Sequence, residues 1–402
     1  MPLPRAFEPL RHRDFRLLWT GQTVSVVGNF IHNVALPFQI LGLGGGALEL
    51  GLWSSIFSVT SLVFLLFGGA FADRFPRRVV ILVTDLLAGV FVGAIALLAA
   101  TGLLRIEHLY VEAALFGATE SFFQPALSAL IPELVPQDVL QAGNALRGSS
   151  RQIALLAGPV IGGFLVALAG PPLAFGVDAA TFFFSFFVLF LARPARREPP
   201  AAAPLLGQVR EGLAYTFSVP WLWIFIFAWA LVLFGQVGPL NVGLPLYVRD
   251  VLGGDARLFG ILTASLGAVE VVTGLVLAQV KVRRLGIGIC IFGIAGGLAV
   301  AAMGLVADAR VAAVFVAIFG AQFVGIGILW TTAVQKHVPA SMMGRVISID
   351  YFGGTLLLPI APVIIAAVIS AVGPSQAFVF GGLFAATIVS LLLLVPSIRS
   401  LE

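Results

Sequence analysis

Twelve long stretches that carry almost no charge constrain this chain more than anything else in it. A helix needs about 20 consecutive apolar residues to cross a bilayer. Breaking the sequence at charges, Pro and Gly places such stretches at 15–41, 47–72, 78–102, 108–132, 140–169, 172–192, 220–248, 256–280, 285–306, 310–335, 342–371 and 375–397. The composition agrees: 59% of the 402 residues are hydrophobic, 10% are charged, and the mean hydropathy is +1.06. A soluble domain carries about 25% charged residues, so 42 ionisable side chains cannot cover a 42.2 kDa globule and most of its surface must face lipid. One cysteine, Cys290, excludes a disulfide scaffold, and the 45 glycines follow no period of three. The expected fold is an all-α membrane protein of twelve transmembrane helices. Pro37, Pro125, Pro159, Pro239, Pro359 and Pro362 fall inside spans and are expected to kink rather than end them.

The formal charge of +4 comes from bases spread thinly, with no run longer than a pair, which points to topology and not to nucleic acid. With a cytoplasmic N-terminus, seventeen Arg and Lys fall inside: Arg5, Arg11, Arg13, Arg16, Arg74, Arg77, Arg78, Arg193, Arg196, Arg197, Arg210, Lys281, Arg283, Arg284, Lys336, Arg345 and Arg399. Four fall outside: Arg105, Arg249, Arg257 and Arg310. The positive-inside rule then puts both termini in the cytoplasm. The first apolar run is interrupted by Asn29, His32 and Asn33, so it is expected to be an uncleaved span and not a signal peptide.

Residues 193–219 form the longest stretch without a span and divide the chain into 1–192, a cytoplasmic linker 193–219, and 220–402. The halves echo each other. Ala72 to Arg78 (ADRFPRR) stands 206 positions before Ala278 to Arg284 (AQVKVRR), and Val135-Pro136 stands 203 before Val338-Pro339. Two junctions at nearly one offset suggest a duplicated six-helix bundle, the plan of a rocking transporter.

These residues reach a family. Gly69 to Arg78 (GAFADRFPRR) resembles the signature between spans two and three of the major facilitator superfamily. Phe122 to Pro132 (FFQPALSALIP), and the opening Leu10 to Trp19 (LRHRDFRLLW), resemble the branch that holds macrolide-efflux proteins and the enterobactin exporter. In span five, Gly158-Pro159-Val160-Ile161-Gly162-Gly163 is similar to the end of the superfamily's antiporter motif, with alanines where the upstream glycines would stand. The resemblance implies two six-helix bundles related by a pseudo-two-fold axis in the inner membrane. It also implies a monomeric carrier that exports an amphipathic small molecule in exchange for protons, with no cofactor, no metal and no nucleic-acid partner.

Charged groups deep in a bilayer are costly and default to functional roles. The candidates for proton coupling are Glu120, Arg151, Asp178, Glu270 and Asp350, with Glu120 paired to Arg151 across consecutive spans; that pair could equally be a permanent structural tie. Glu112 and Asp85 lie nearer the span ends and are expected to be solvated. Gln22, Ser25, Asn29, His32 and Asn33 keep near one face of span one, so that face does not meet lipid; it lines a cavity or bonds to neighbouring helices. The family architecture places spans one, four, seven and ten around a central cavity. It thereby names Asn29, His32, Asn33, Gln236, Asn241 and Gln322 as polar lining, and Phe116, Phe123, Trp229, Phe323 and Trp330 as apolar wall. Asp73 and Arg74 stand at a cytoplasmic helix end, as a helix cap with positive-inside bases or, with Arg77 and Arg345, as a cytoplasmic gate in which Asp73 reaches the start of span eleven near Ser341 to Arg345; Gly158 and Pro159 are the gating pair of span five.

No Walker A sequence, no HExxH and no Gly-x-Ser-x-Gly is present, so the chain is not expected to be an enzyme. The rivals of another class are an intramembrane enzyme using Glu120 or Asp178 as its acid, and a channel. Among carriers, drug or siderophore efflux competes with lysophospholipid flipping and with uptake of a polar nutrient; uptake would want more Asn, Gln and Trp in spans seven and ten than stand there.

Overall fold

The computed structural model describes residues 5–192 and 205–402; the side chains of 5, 6, 66–74, 205, 206 and 208 lie outside the described set. The described residues form helices and no strand. A backbone in lipid must satisfy its own hydrogen bonds, and a helix does so within one segment.

The helices are α1 (Arg13–Gly42), α2 (Ala47–Arg74), α3 (Arg77–Ala100), α4 (Ile106–Leu134), α5 (Leu140–Ala169) and α6 (Pro171–Phe190). Then follow α7 (Leu205–Ser218), α8 (Pro220–Gly238), a π-helical turn Pro239–Gly243, α9 (Leu244–Asp250), α10 (Ala256–Gln279), α11 (Leu285–Met303), α12 (Ala309–His337), α13 (Met343–Thr355), α14 (Ala361–Leu392) and the short α15 (Pro396–Arg399). Ten stretches among the described residues are long and apolar enough to cross a membrane. Against the twelve expected, α4 is not among the ten; it carries Glu107, Glu112, Glu120 and Glu133. The last two spans are drawn differently. Span eleven breaks into α13 and the start of α14 through turns at 356–360, and α14 itself is two helical stretches joined at Gly373.

The prolines divide accordingly. Pro37, Pro125 and Pro159 sit inside continuous helices as expected. Pro359 does not: it has no N–H to donate, it restricts Leu358 before it, and the helix has already stopped. Pro362 then stands in the first turn of α14, where a missing N–H costs nothing. Pro239 withdraws the donor that Gly235 would accept from, and the chain widens to a π turn.

The chain folds as two compact units. One holds the residues to 192 together with Gly254–Ala264; the other holds 205–253 with Ser265–Glu402. In the first, α1 packs on α5 and α6, and α3 packs on α4 and α6. In the second, α8 packs on α13 and α14, and α11 packs on α12 and α14. These four pairings recur in the same order in the two units. The first unit's core, with Phe15, Leu18, Ile81, Leu130, Ile131 and Leu189 fully buried, gathers where α1 and α3 begin and α4 and α6 end. Its opposite half buries charged and polar side chains among apolar ones, and there the site lies.

Candidate functional site

Three helices of the first unit, α1, α4 and α6, meet at His32, and α2 joins them through Glu112. The His32 side chain comes from α1, whose face carries Gly21, Gln22, Ser25, Gly28 and His32 at steps suited to close helix contact. Gly28 is the reason α6 comes near enough: a Cβ there would collide with Thr181 Oγ1 and Asp178 Oδ1. Asp178 Oδ2 lies 3.1 Å from His32 Nδ1, and Glu112 Oε1 of α4 lies 3.6 Å from Nε2. His32, Glu112 and Asp178 are exposed by 1%, 2% and 0%, so all three are shut from solvent. Trp53 of α2 donates its indole N–H to Glu112 Oε2 at 2.9 Å. Thr181 donates to the Asp178 backbone carbonyl at 2.7 Å. The imidazole is stacked on Phe116, with ring centres 5.8 Å apart and 8° between planes, and meets the edge of Phe175 at 5.1 Å.

An imidazole facing a carboxylate from each nitrogen can donate to both only when doubly protonated; in its neutral form one side loses its donor. These four facing atoms make no other hydrogen bond, so the two contacts are attractive between charges only when the imidazole holds both protons. Among the described residues no set of His, Cys, Asp and Glu is arranged to hold a metal ion.

This arrangement corrects three expectations. Glu112 is not solvated but lies at the centre of the cluster, and Asp85, exposed by 2%, is buried as well. Asp85 accepts from Ser185 at 2.7 Å, and Gln22 lies 3.4 Å from it. Helix length misled here, because a residue near a helix end is solvated only if no neighbour covers it. His32, placed by resemblance on a cavity wall, is instead packed between α1, α4 and α6. Glu120 and Arg151 do not pair among the described residues. Glu120 accepts from Gln124 at 2.7 Å, and Gln124 in turn accepts from Arg147 at 3.0 Å, while Arg151 is exposed. Arg147, one turn earlier on α5, has taken the place given to Arg151.

The other candidates are distributed as follows. Asn29 is half-buried with an unpartnered Oδ1, Asn33 and Asn241 are exposed, and Phe123 packs on the apolar core of the first unit. Gln236 and Gln322 are buried and hydrogen-bonded to each other through both amides, at 2.8 and 3.2 Å, so they tie α8 to α12 instead of lining open space. Trp330 stacks on Phe225 at 3.8 Å and donates to Asp350 at 2.9 Å. Trp229 stacks on Phe225 and lies near the exposed Phe323. Glu270 is buried on α10. An apolar groove of about 440 Å³, lined by residues such as Val269, Phe292 and Ala321, offers no polar group to a ligand.

At the expected gate, the side chains of Asp73 and Arg74 lie outside the described residues. Arg77 binds Glu133 and the carbonyl of Ala129 on α4, and Arg345 binds Glu211 on α7. Gly158 lets Phe30 of α1 approach, and the Pro159 carbonyl approaches Gly260. Sequence reasoning missed Glu112 and Trp53. Glu112, Phe116 and Glu120 recur at steps of four along α4, which was a readable signal for one inward face; nothing marked Trp53.

The comparisons with known proteins bear on the whole chain. A family model described as transmembrane secretion effector matches residues 5–358. The enterobactin exporter EntS of Shigella boydii is 28% identical over 347 residues, covering 83% of this chain and 80% of that protein. An uncharacterised MFS-type transporter of Bacillus subtilis, YfiS, is 25% identical over 342 residues, covering 82% and 80%. Among solved structures, the nucleoside transporter NupG superposes with a TM-score of 0.78 over 95% of this chain and 98% of that one at 11% identity. A bacterial homologue of the iron transporter ferroportin gives 0.74 over 95% and 97% at 16% identity. With a family model matched over most of its length and a helical fold shared with these carriers, the chain belongs to the transmembrane secretion effector family of major facilitator transporters and is a multi-pass membrane transporter, not an enzyme.

Proposed function

We propose that this transporter exports an amphipathic small molecule, of the siderophore or drug class, in exchange for protons by alternating access, as a monomer in the inner membrane with both termini cytoplasmic. Its helical halves are 1–192 and 220–402, joined through 193–219. The similarity to enterobactin exporters supports the direction and the substrate class. The observation that carries proton coupling is the buried set His32, Glu112 and Asp178. Charged groups withdrawn from water are costly unless their proton number serves a purpose or their pairing is complete, and here the pairing changes with proton number. The exchanged proton belongs to this set and not to Glu120, which accepts from Gln124, itself held by Arg147.

The test is transport in proteoliposomes with an imposed pH gradient, using enterobactin and ethidium as probes. His32→Gln, Glu112→Gln and Asp178→Asn are each expected to abolish gradient-driven export. Glu120→Gln, Glu270→Gln and Asp350→Asn are expected to retain it. Full gradient-driven export by all of the first three variants would remove proton exchange from this cluster.

A further inference from the structure

Trp53 stands in a closed circuit of contacts. Its indole donates to Glu112; its ring stacks on Phe57 with centres 5.7 Å apart and 5° between planes; Phe57 meets Phe116 at 6.1 Å; and Phe116 stacks on His32, which faces Glu112. The cluster itself is built from α1, α4 and α6, and through Trp53 it also holds α2. The next two turns of the α2 contact with α4 are different in kind. Gly117 admits the backbone of Phe57 so closely that a Cβ there would collide with its carbonyl oxygen, and Ser121 donates to the Ser61 carbonyl at 2.8 Å. That part is packed backbone to backbone, and the Ser121 bond in it joins no titratable group. One turn towards the start of α2, the tie is a single hydrogen bond to a carboxylate.

From this we infer that Trp53 is the positioning residue through which the proton state of the His32, Glu112 and Asp178 set moves the first turns of α2. The inference rests on the proton-exchange reading of that cluster. A charged carboxylate accepts an N–H bond roughly twice as strongly as a neutral acid. Glu112 in its charged form therefore draws Trp53 in, and in its protonated form releases it. The start of α2 then swings about the tight Phe57 and Gly117 contact. The titratable groups facing Glu112 are His32 from α1 and Asp178 from α6. On α2 itself, Glu49 accepts from the Gly46 backbone N–H at 2.7 Å in the turn before the helix and faces Tyr110 of α4.

The experiment uses the full chain in lipid nanodiscs with Cys290→Ser and spin labels at Leu48→Cys and Leu173→Cys. These positions are exposed, at the starts of α2 and α6. Distances between the labels are measured by pulsed electron resonance at mildly acidic and mildly alkaline pH. The parent is expected to show a distance distribution that shifts with pH. The shift is expected to be lost in Trp53→Phe, which keeps the ring stack but has no donor, and in Glu112→Gln, while Trp223→Phe on α8 keeps it. A parent that shows no shift, or a Trp53→Phe protein that shifts like the parent, overturns the inference. If Trp53→Phe does not fold, a shift that survives Glu112→Gln overturns it equally. Gradient-driven export by the same parent is measured separately. Export with no shift sinks the role of Trp53 alone, whereas absence of gradient-driven export sinks the proton reading beneath it.

Discussion

Gly28 shows how much a single residue can decide. It sits in the middle of α1, where an alanine would be favoured by roughly 0.5–1 kcal/mol on helix propensity alone. Its place is explained only by α6, since any side chain there would strike Thr181 and Asp178. Gly28→Ala is therefore expected to lower thermal stability by about 1–3 kcal/mol through overpacking and to open the His32 to Asp178 contact. Gly176→Ala, at a glycine of α6 with open space around it, is expected to be neutral or slightly stabilising. Thermal unfolding of both variants in one detergent compares them directly, and equal midpoints would mean that α1 and α6 do not meet closely at Gly28. Part of this site was legible beforehand. His32 and Asp178 stood out as polar groups inside apolar runs, and the stripe from Gln22 to His32 marked the face. Their partner was not legible, because burial of Glu112 depends on α1, α2 and α6 covering it, and periodicity along α4 cannot report what lies opposite.

At the scale of the element, helix ends followed local rules and helix interruptions did not. Pro171 and Pro220 open α6 and α8 in the first turn, where proline is tolerated. Asp308 caps α12 by accepting from the backbone N–H groups of Arg310 and Val311. The interruption at Gly373 is of another sort, with φ 84° and ψ 163° in a region that only glycine visits readily. Gly373→Ala is expected to cost of order 1–3 kcal/mol, although a Cβ there meets nothing within reach. The loss would come from backbone strain alone, and a thermal midpoint unchanged from wild type would contradict the conformation. The π turn after Pro239 has a matching partner on the neighbouring helix. The carbonyl of Gly235, left without the Pro239 donor, is approached by Gly381 of α14, where a Cβ would collide with it. Gly381→Ala is expected to part α8 from α14 and destabilise the second unit, which limited proteolysis of the variant would reveal as earlier cleavage.

For the whole molecule, the seventeen-to-four division of Arg and Lys predicts the orientation. With Cys290→Ser as background, a cysteine at Leu252 is expected to react with a membrane-impermeant thiol reagent on intact cells, and one at Lys281 only after the cells are opened. The reverse pattern would invert the topology and with it the assignment of the Asp73 region to the cytoplasm. The fold class was written in composition and hydropathy, because lipid forces backbone groups to bond within their own segment and leaves only helices at this segment length. The repeated junctions suggested a duplication, and several helix pairings recur between the two units. What tertiary structure alone decided was partnership. It chose Arg147 over Arg151 beside Glu120, turned Gln236 and Gln322 towards each other, and gathered His32, Glu112, Asp178 and Trp53 from four helices. A sequence states how costly each polar group is in lipid; which neighbour offsets that cost is settled where glycines let helices approach, and that is a property of pairs of helices.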